Sequence, residues 1–515
     1  MLVTRHLLPP QRLPESPLIT CRLSSPTLPS LNPNTLPNSS SLASSPLLCP
    51  HFQSCSGCTQ ELNLNRPVVV EEAAEFFKKR GVSDFSFESS KLWEWRCRAK
   101  LAVRGSSKEP LIGLYREGTH SVIDIPLCKA HHPSINSAVD LLREGIRELD
   151  IEPYDEDKMT GDLRYVQMAV TTYNTNIPAP ERYKSGKVQV ALVWNSRNGK
   201  SPNSEKLLSL AKYIWGNGGR GSNLHLIHSL WANFQTTSNN IIFGNKWKHL
   251  LGEIDFWERV GGIDVSLPPS SFGQANTLAF DSLLRKLQKY VPYGSSVTDL
   301  YAGGGVIGLS LAATRKCRSV RCVEVNRESM FSFEKSTARL PSTVKRTISW
   351  HHADASSEPY AWLKGSEVVV VDPPRKGLDP SVIDALLSLK DVKKKATPSS
   401  DSSSAKPKEE KRPWILRARE SSLLAGDANP QSAPNALPDT LLYISCGWES
   451  FKADCESLTA SKDWRLEKAH GFNFFPGTQS IEVLAVFKRR QGVAAKKKKP
   501  KKIKNRTKSD NSREL

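Results

Sequence analysis

Apolar positions along the chain change their period twice. Over residues 66–80, Ala73, Ala74, Phe76 and Phe77 fall on one side of a helical repeat and predict a helix. Between 95 and 127 the period drops to two. Ala99, Leu101 and Val103 alternate with polar neighbours, a polar turn spans 105–110, and 111–115 and 122–125 continue in strand fashion. Further strand-like runs lie at 164–172, 187–195, 224–231 and 239–243, with a helical stretch at 204–216 between them. This mixture predicts a mixed α/β domain over 131–265. From about 266 the rhythm becomes strand, loop, helix. A short strand at 296–300 runs into Gly303-Gly304-Gly305, a helix follows at 307–313, and strands recur at 319–325 and 367–371. Strands alternating with helices predict an α/β fold with a Rossmann-like, doubly wound parallel sheet over 266–490.

Three stretches fit neither period. Residues 1–45 are rich in Ser, Pro and Leu and hold Arg5, Arg12 and Arg22 against the single acid Glu15. Without the compact apolar core of a secretory signal, they read as an organellar transit peptide or disordered leader, for the chloroplast before the mitochondrion. Residues 391–437, with a Lys run, Ser402-Ser403-Ser404 and several prolines, read as a disordered insertion. Residues 491–515 form a basic, disordered tail with ten Lys and Arg against Asp510 and Glu514. It could serve as a nuclear address, but an RNA-gripping arm is the preferred reading.

Composition narrows the partners. The formal net charge is +20 and the pI about 9.5, and the chain stays strongly positive without its tail. Such an excess suits a polyanion, because each neutralised phosphate releases counterions. No apolar run approaches the roughly 20 residues that cross a bilayer, so no membrane role is expected. The ten cysteines are clustered and lack a secretory context, which favours a metal site and isolated thiols over disulfides.

The candidate chemistry lies at strand ends. Asp299-Leu300-Tyr301-Ala302-Gly303-Gly304-Gly305-Val306-Ile307-Gly308 joins the first strand to its helix, where glycines let the backbone approach a nucleotide-like ligand. Glu324, about 20 residues on, is placed to accept from ribose hydroxyls. Asp354 could accept from an adenine amino group or simply cap a helix. Glycine turn plus acid suits a nicotinamide cofactor or S-adenosylmethionine equally. Asp372-Pro373-Pro374-Arg375 favours the second, because its rigid loop presents a carboxylate and carbonyls to a flat base. Cys446 ends an apolar strand above the same crevice, and Glu482 opens the last strand. A thiolate adding to carbon 6 of uracil makes carbon 5 nucleophilic, and a base must then take the carbon 5 proton.

These elements together resemble the RNA uracil-5-methyltransferase family, and most of all its bacterial enzymes for large-subunit ribosomal RNA. Ser271-Phe272-Gly273-Gln274-Ala275-Asn276, Asp299 to Gly308, Glu324, Asp372-Pro373-Pro374-Arg375, Ser445-Cys446, and Phe475-Pro476 with Thr478 and Glu482 occur in the family's order, between about 49 and 490. The resemblance implies an enzyme with Cys446 as nucleophile, Glu482 as base, and Gln274, Tyr301, Glu324 and Asp372 at the cofactor and uracil. Cys49, Cys55, Cys58 and Cys128 suit zinc or an iron–sulfur cluster on their own chemistry. The resemblance implies a [4Fe-4S] cluster, which makes 46–130 a cluster region with the first strands, 131–265 a middle RNA-binding domain and 266–490 the methyltransferase domain. Cys97 stands where the family has no cysteine. Gly447-Trp448 replaces the family's Asn-Pro, and Asn473 and Ser480 replace an acid and a histidine. The expected substrate is an unstacked uridine, in ribosomal before transfer RNA, because chemistry on both ring faces requires the base outside its stack. A monomer is expected. The competing class is a non-catalytic RNA-binding assembly factor that keeps the fold.

Overall fold

Two sheets dominate the computed structural model, which describes residues 45–173, 181, 183, 186–238, 241–389, 436–461 and 463–490. Helix α1 (Val69–Lys79) and strand β1 (Ser86–Ser89) precede β2 (Arg98–Gly105), β3 (Pro110–Tyr115), β4 (Val122–Asp124) and α2 (Pro133–Glu148). Then come β5 (Leu163–Thr171), β6 (Lys187–Trp194), α3 (Ser204–Gly218), β7 (Ile227–Phe234) and β8 (Lys246–Gly252). The hairpin β9 (Trp257–Val260) and β10 (Ile263–Ser266) leads into α4 (Thr277–Gln288), β11 (Ser296–Leu300), α5 (Val306–Arg315), β12 (Ser319–Glu324) and α6 (Ser329–Ala338). The second half closes with β13 (Ile348–His352), β14 (Val368–Val371), α7 (Pro380–Leu387), β15 (Thr440–Ser445), α8 (Trp448–Ala460), β16 (Trp464–Asn473) and β17 (Glu482–Arg489).

The middle sheet runs β4-β3-β2-β5-β6-β7-β8, antiparallel except for β6 and β7, which α3 connects. Its period-two face buries Ala99, Leu101, Val103, Val166 and Met168 against Ile135, Leu142 and Ile146 of α2. The larger sheet runs β1-β16-β17-β15-β14-β11-β12-β13. Its five strands β15 to β13 are parallel, and β17 lies antiparallel beside β15. Strand β14 is four valines, all buried, with Val368 and Val370 in one core and Val369 and Val371 in the other. That is the signature of a strand covered on both faces. The doubly wound expectation is therefore met.

The first segment joins the second sheet. β1 pairs parallel to β16, and Val70, Ala73, Phe76 and Phe77 of α1 enter the core with Val371, Tyr443 and Phe451. Two strand predictions need correction. The run at 224–231 is displaced to β7, because His225 adopts a positive φ of 44° that interrupts extended backbone. The apolar run at 239–243 is not a strand among its described residues. Asn233 brackets Gly244 with both ends of its amide, holding the segment in a loop before β8. The leader, insertion and tail expectations fall outside the described residues, save residues 45, 436 and 437. Among the described residues no helix is long and apolar enough to cross a membrane.

Candidate active site

In a doubly wound sheet the ligand crevice opens where the strand order reverses, at the carboxyl ends of the strands. Here that point lies between β11 and β14. Tyr301 and the glycines follow β11, Glu324 ends β12, Asp372 follows β14, and Cys446 follows β15. Gly303 and Gly305 have φ of 54° and 75°, which only glycine adopts cheaply. Tyr301 also has a positive φ, 63°, a strained state that sets its ring in the crevice. Both oxygens of Glu324 accept backbone N–H groups, from Gly303 and Asn326 at 2.8 Å each, so it braces the turn. Gln274, Tyr301, Gly303, Gly304 and Asp372 line one cavity. Asp354 instead accepts from the N–H and hydroxyl of Ser356, a local turn cap. Asn276 fixes the Gln274 loop: its carbonyl oxygen caps α4 at Ala279 and its NH2 donates to Phe474 O.

Strand register brings Cys446 and Glu482 together. Ser445 pairs with Val483 across antiparallel β15 and β17, so the next position places Cys446 opposite Glu482. Opposed residues in such a pair have Cα atoms about 4.5–5.5 Å apart. Glu482 is buried, and burial, followed by the Asp372 carboxylate, raises it well above the usual carboxylate range, with Arg375 opposing. Burial pushes Asp372 up to about 7. Burial, then Glu482 and Asp372, raise the half-buried Cys446 thiol, while Arg375 pulls it down. Cys446, Glu482, Asp372 and Arg375 thus share one electrostatic neighbourhood.

The unusual Gly447-Trp448 has a structural account. A Cβ on Gly447 would lie 2.4 Å from Arg375 O, so only glycine lets the cysteine loop meet the Asp372–Arg375 loop. Ser450 Oγ then donates to the same carbonyl at 2.8 Å. Trp448 donates from its indole to Glu72 and packs edge-on to Phe76 and Phe77. Asp454 on α8 accepts from Leu378 N–H and Tyr443 OH, closing the far end of the loop.

No protein-family model matches the chain. An uncharacterized RNA methyltransferase of Protochlamydia amoebophila is 35% identical over 451 residues, covering 86% of this chain and 98% of the relative. The chain belongs to the RNA methyltransferases. An uncharacterized RNA methyltransferase of Bacillus anthracis matches at 24% identity over 84% of the chain and 81% of the relative. Among solved structures, the Pyrococcus abyssi tRNA (uracil-54, C5)-methyltransferase in complex with S-adenosyl-L-homocysteine superposes with a TM-score of 0.57. It is 20% identical, covers 84% of this chain and 86% of its own, and shows the shared fold.

The methyltransferase also keeps Cys49, Cys55, Cys58 and Cys128 as free thiols around a second cavity of about 330 Å³. Burial raises Cys58 to about 12, and Cys128, Cys55 and Cys49 each add to the rise, so the four sulfurs are within electrostatic reach of one another. Among the described residues no three His, Cys, Asp or Glu side chains close to single-ion spacing. Gly477 packs on Cys58, and its carbonyl accepts from Thr59 and Gln60 N–H, so this segment is latched to the loop before Glu482. The sequence reading gave no role to Arg375, nor to Arg98 and Glu258, which also line the crevice. Arg98 and Glu258 occupy alternating polar positions of strands, which look solvent-facing until a second domain covers them.

Proposed function

We propose that this RNA methyltransferase uses S-adenosylmethionine to methylate carbon 5 of a uracil in RNA, through a covalent bond from Cys446. The observation that carries the reading is the Ser445–Val483 register, one step from Cys446 and Glu482, with both of these in electrostatic reach of Asp372. Gln274, Tyr301, Glu324 and Asp372 would hold the donor, which supplies an electrophilic methyl group. The Cys446 thiolate adds to carbon 6, and the electron pair displaced onto carbon 5 takes the methyl. Glu482 removes the carbon 5 proton, and the returning pair expels the thiolate. Arg375 offsets negative charge on both groups. Burial excludes water that would compete for the proton.

The four cysteines suit a [4Fe-4S] cluster. The fit rests on donor chemistry: four free thiols line one shared cavity, and thiolates are the ligands such a cluster takes. Its proposed role is to order the segment that grips Gly477. The resemblance to bacterial ribosomal RNA enzymes favours a loop uridine of ribosomal RNA. The leader supports a chloroplast location, which a fluorescent fusion of residues 1–45 tests.

An RNA carrying 5-fluorouridine tests the chemistry, because fluorine cannot leave carbon 5 as a cation. Wild type should form a denaturation-resistant adduct that Cys446→Ala abolishes. No adduct with ribosomal or transfer RNA would favour a non-catalytic binding protein, and an adduct with transfer RNA alone would move the substrate.

A further inference from the structure

Among the described residues that line the cavity of Gln274 and Tyr301, Arg98 is the one cation. It opens β2, and its neighbours hold it rigidly. Cys97 donates its N–H to Ala275 O at 2.7 Å and accepts from Val170 N–H at 2.8 Å. A Cβ on Gly273 would fall 2.6 Å from Arg98 Nε, so the guanidinium lies flat on the backbone next to Gln274. Its Cζ stands 5.3 Å from the centre of the Phe256 ring. Its electrostatic counterpart is Glu258, but Glu258 spends its oxygens on the N–H and hydroxyl of Thr172, at 2.8 and 3.2 Å. Among the described residues none accepts a hydrogen bond from the Arg98 guanidinium. Arg98 is half-buried, and its fork of free donors at the crevice wall is open to a ligand that completes it.

We propose that Arg98 grips the carboxylate of the amino-acid arm of S-adenosylmethionine. This rests on the cofactor reading above. The planar fork matches a carboxylate in two parallel hydrogen bonds. The adjoining wall of Val260, Val265 and Leu267 suits the arm's methylenes and disfavours a solvated phosphodiester. The middle sheet, through β2, thereby completes the donor site of the neighbouring sheet.

The test compares two ligands by calorimetry on the full chain. S-adenosylhomocysteine carries the arm, whereas 5′-methylthioadenosine lacks its carboxylate and ammonium. Arg98→Gln should weaken S-adenosylhomocysteine by about tenfold or more, the worth of a charge-assisted pair, and leave methylthioadenosine within about twofold. Arg98→Lys keeps the charge without the fork and should fall between; it also serves if the Gln variant fails to fold. Equal weakening of both ligands, or of neither, overturns the assignment. If wild type binds neither ligand, the cofactor reading itself fails and takes this inference with it.

Discussion

On the proposed mechanism two protons must leave before the methyltransferase can turn over, one from Cys446 and one from Glu482. Both groups are raised from their ordinary values, first by burial and then by neighbouring carboxylates. A raised acid holds its proton at neutral pH, and both must be ionised to act as nucleophile and base. The single-turnover rate should therefore climb as pH rises above 7, measured with one RNA and saturating donor. A rate that falls over that range would contradict the roles. Glu482→Gln separates the steps: addition and methyl transfer proceed, proton removal does not, and a methylated RNA–protein adduct should accumulate on denaturing gels. At pH values where Glu482 is ionised in wild type, the substitution also removes a carboxylate that raises the Cys446 thiol, so the variant's adduct should form at lower pH than wild type's. Neither effect is legible in the sequence. It shows a cysteine and a glutamate 36 residues apart, and only the register of β15 on β17 makes them neighbours.

At the scale of elements, the loop between β15 and α8 is held by its lack of a side chain. Gly447→Ala would set a methyl group 2.4 Å from Arg375 O, in contact with backbone that cannot step aside. The cysteine loop must move, and misplacement of about 1 Å costs on the order of 100-fold in rate. The core beneath is undisturbed, so thermal stability should fall little while the rate collapses. Trp448→Ala should do the reverse. It removes ring contacts with Phe76, Phe77 and Phe451, costs about 3 kcal/mol by thermal or urea melting, and spares more of the rate. Several elements were readable because their patterns are local: β14 as an apolar run, β2 as a period of two, α1 as an apolar stripe. The run at 239–243 misled because apolar content alone cannot reveal the Asn233 amide that ties Gly244 into a loop. Helix α2 went unread, although Ile135, Leu142 and Ile146 share one buried face.

Across the whole molecule, sequence segments and folded layers do not coincide. A boundary near 265 follows the change of rhythm, yet α1 and β1 from residues 69–89 complete the sheet that begins at β11. Middle and catalytic layers are further joined where Cys97 meets Ala275, Gln167 meets Pro269 and Thr172 meets Glu258. Val70, Phe76, Phe77 and Val82 are buried in this shared core. At about 2 kcal/mol each they contribute about 8 kcal/mol, comparable with the net stability of a domain. Residues 266–490 expressed alone should therefore lack a cooperative melt and near-ultraviolet dichroism, and should bind hydrophobic dye. Residues 66–490, which restore α1, β1 and the middle sheet, should recover both signals. A sharp melt from the shorter chain would mean that the catalytic sheet closes without its borrowed strand. Arg98 would then be the test of whether such a fragment, though folded, still lacks part of its donor site.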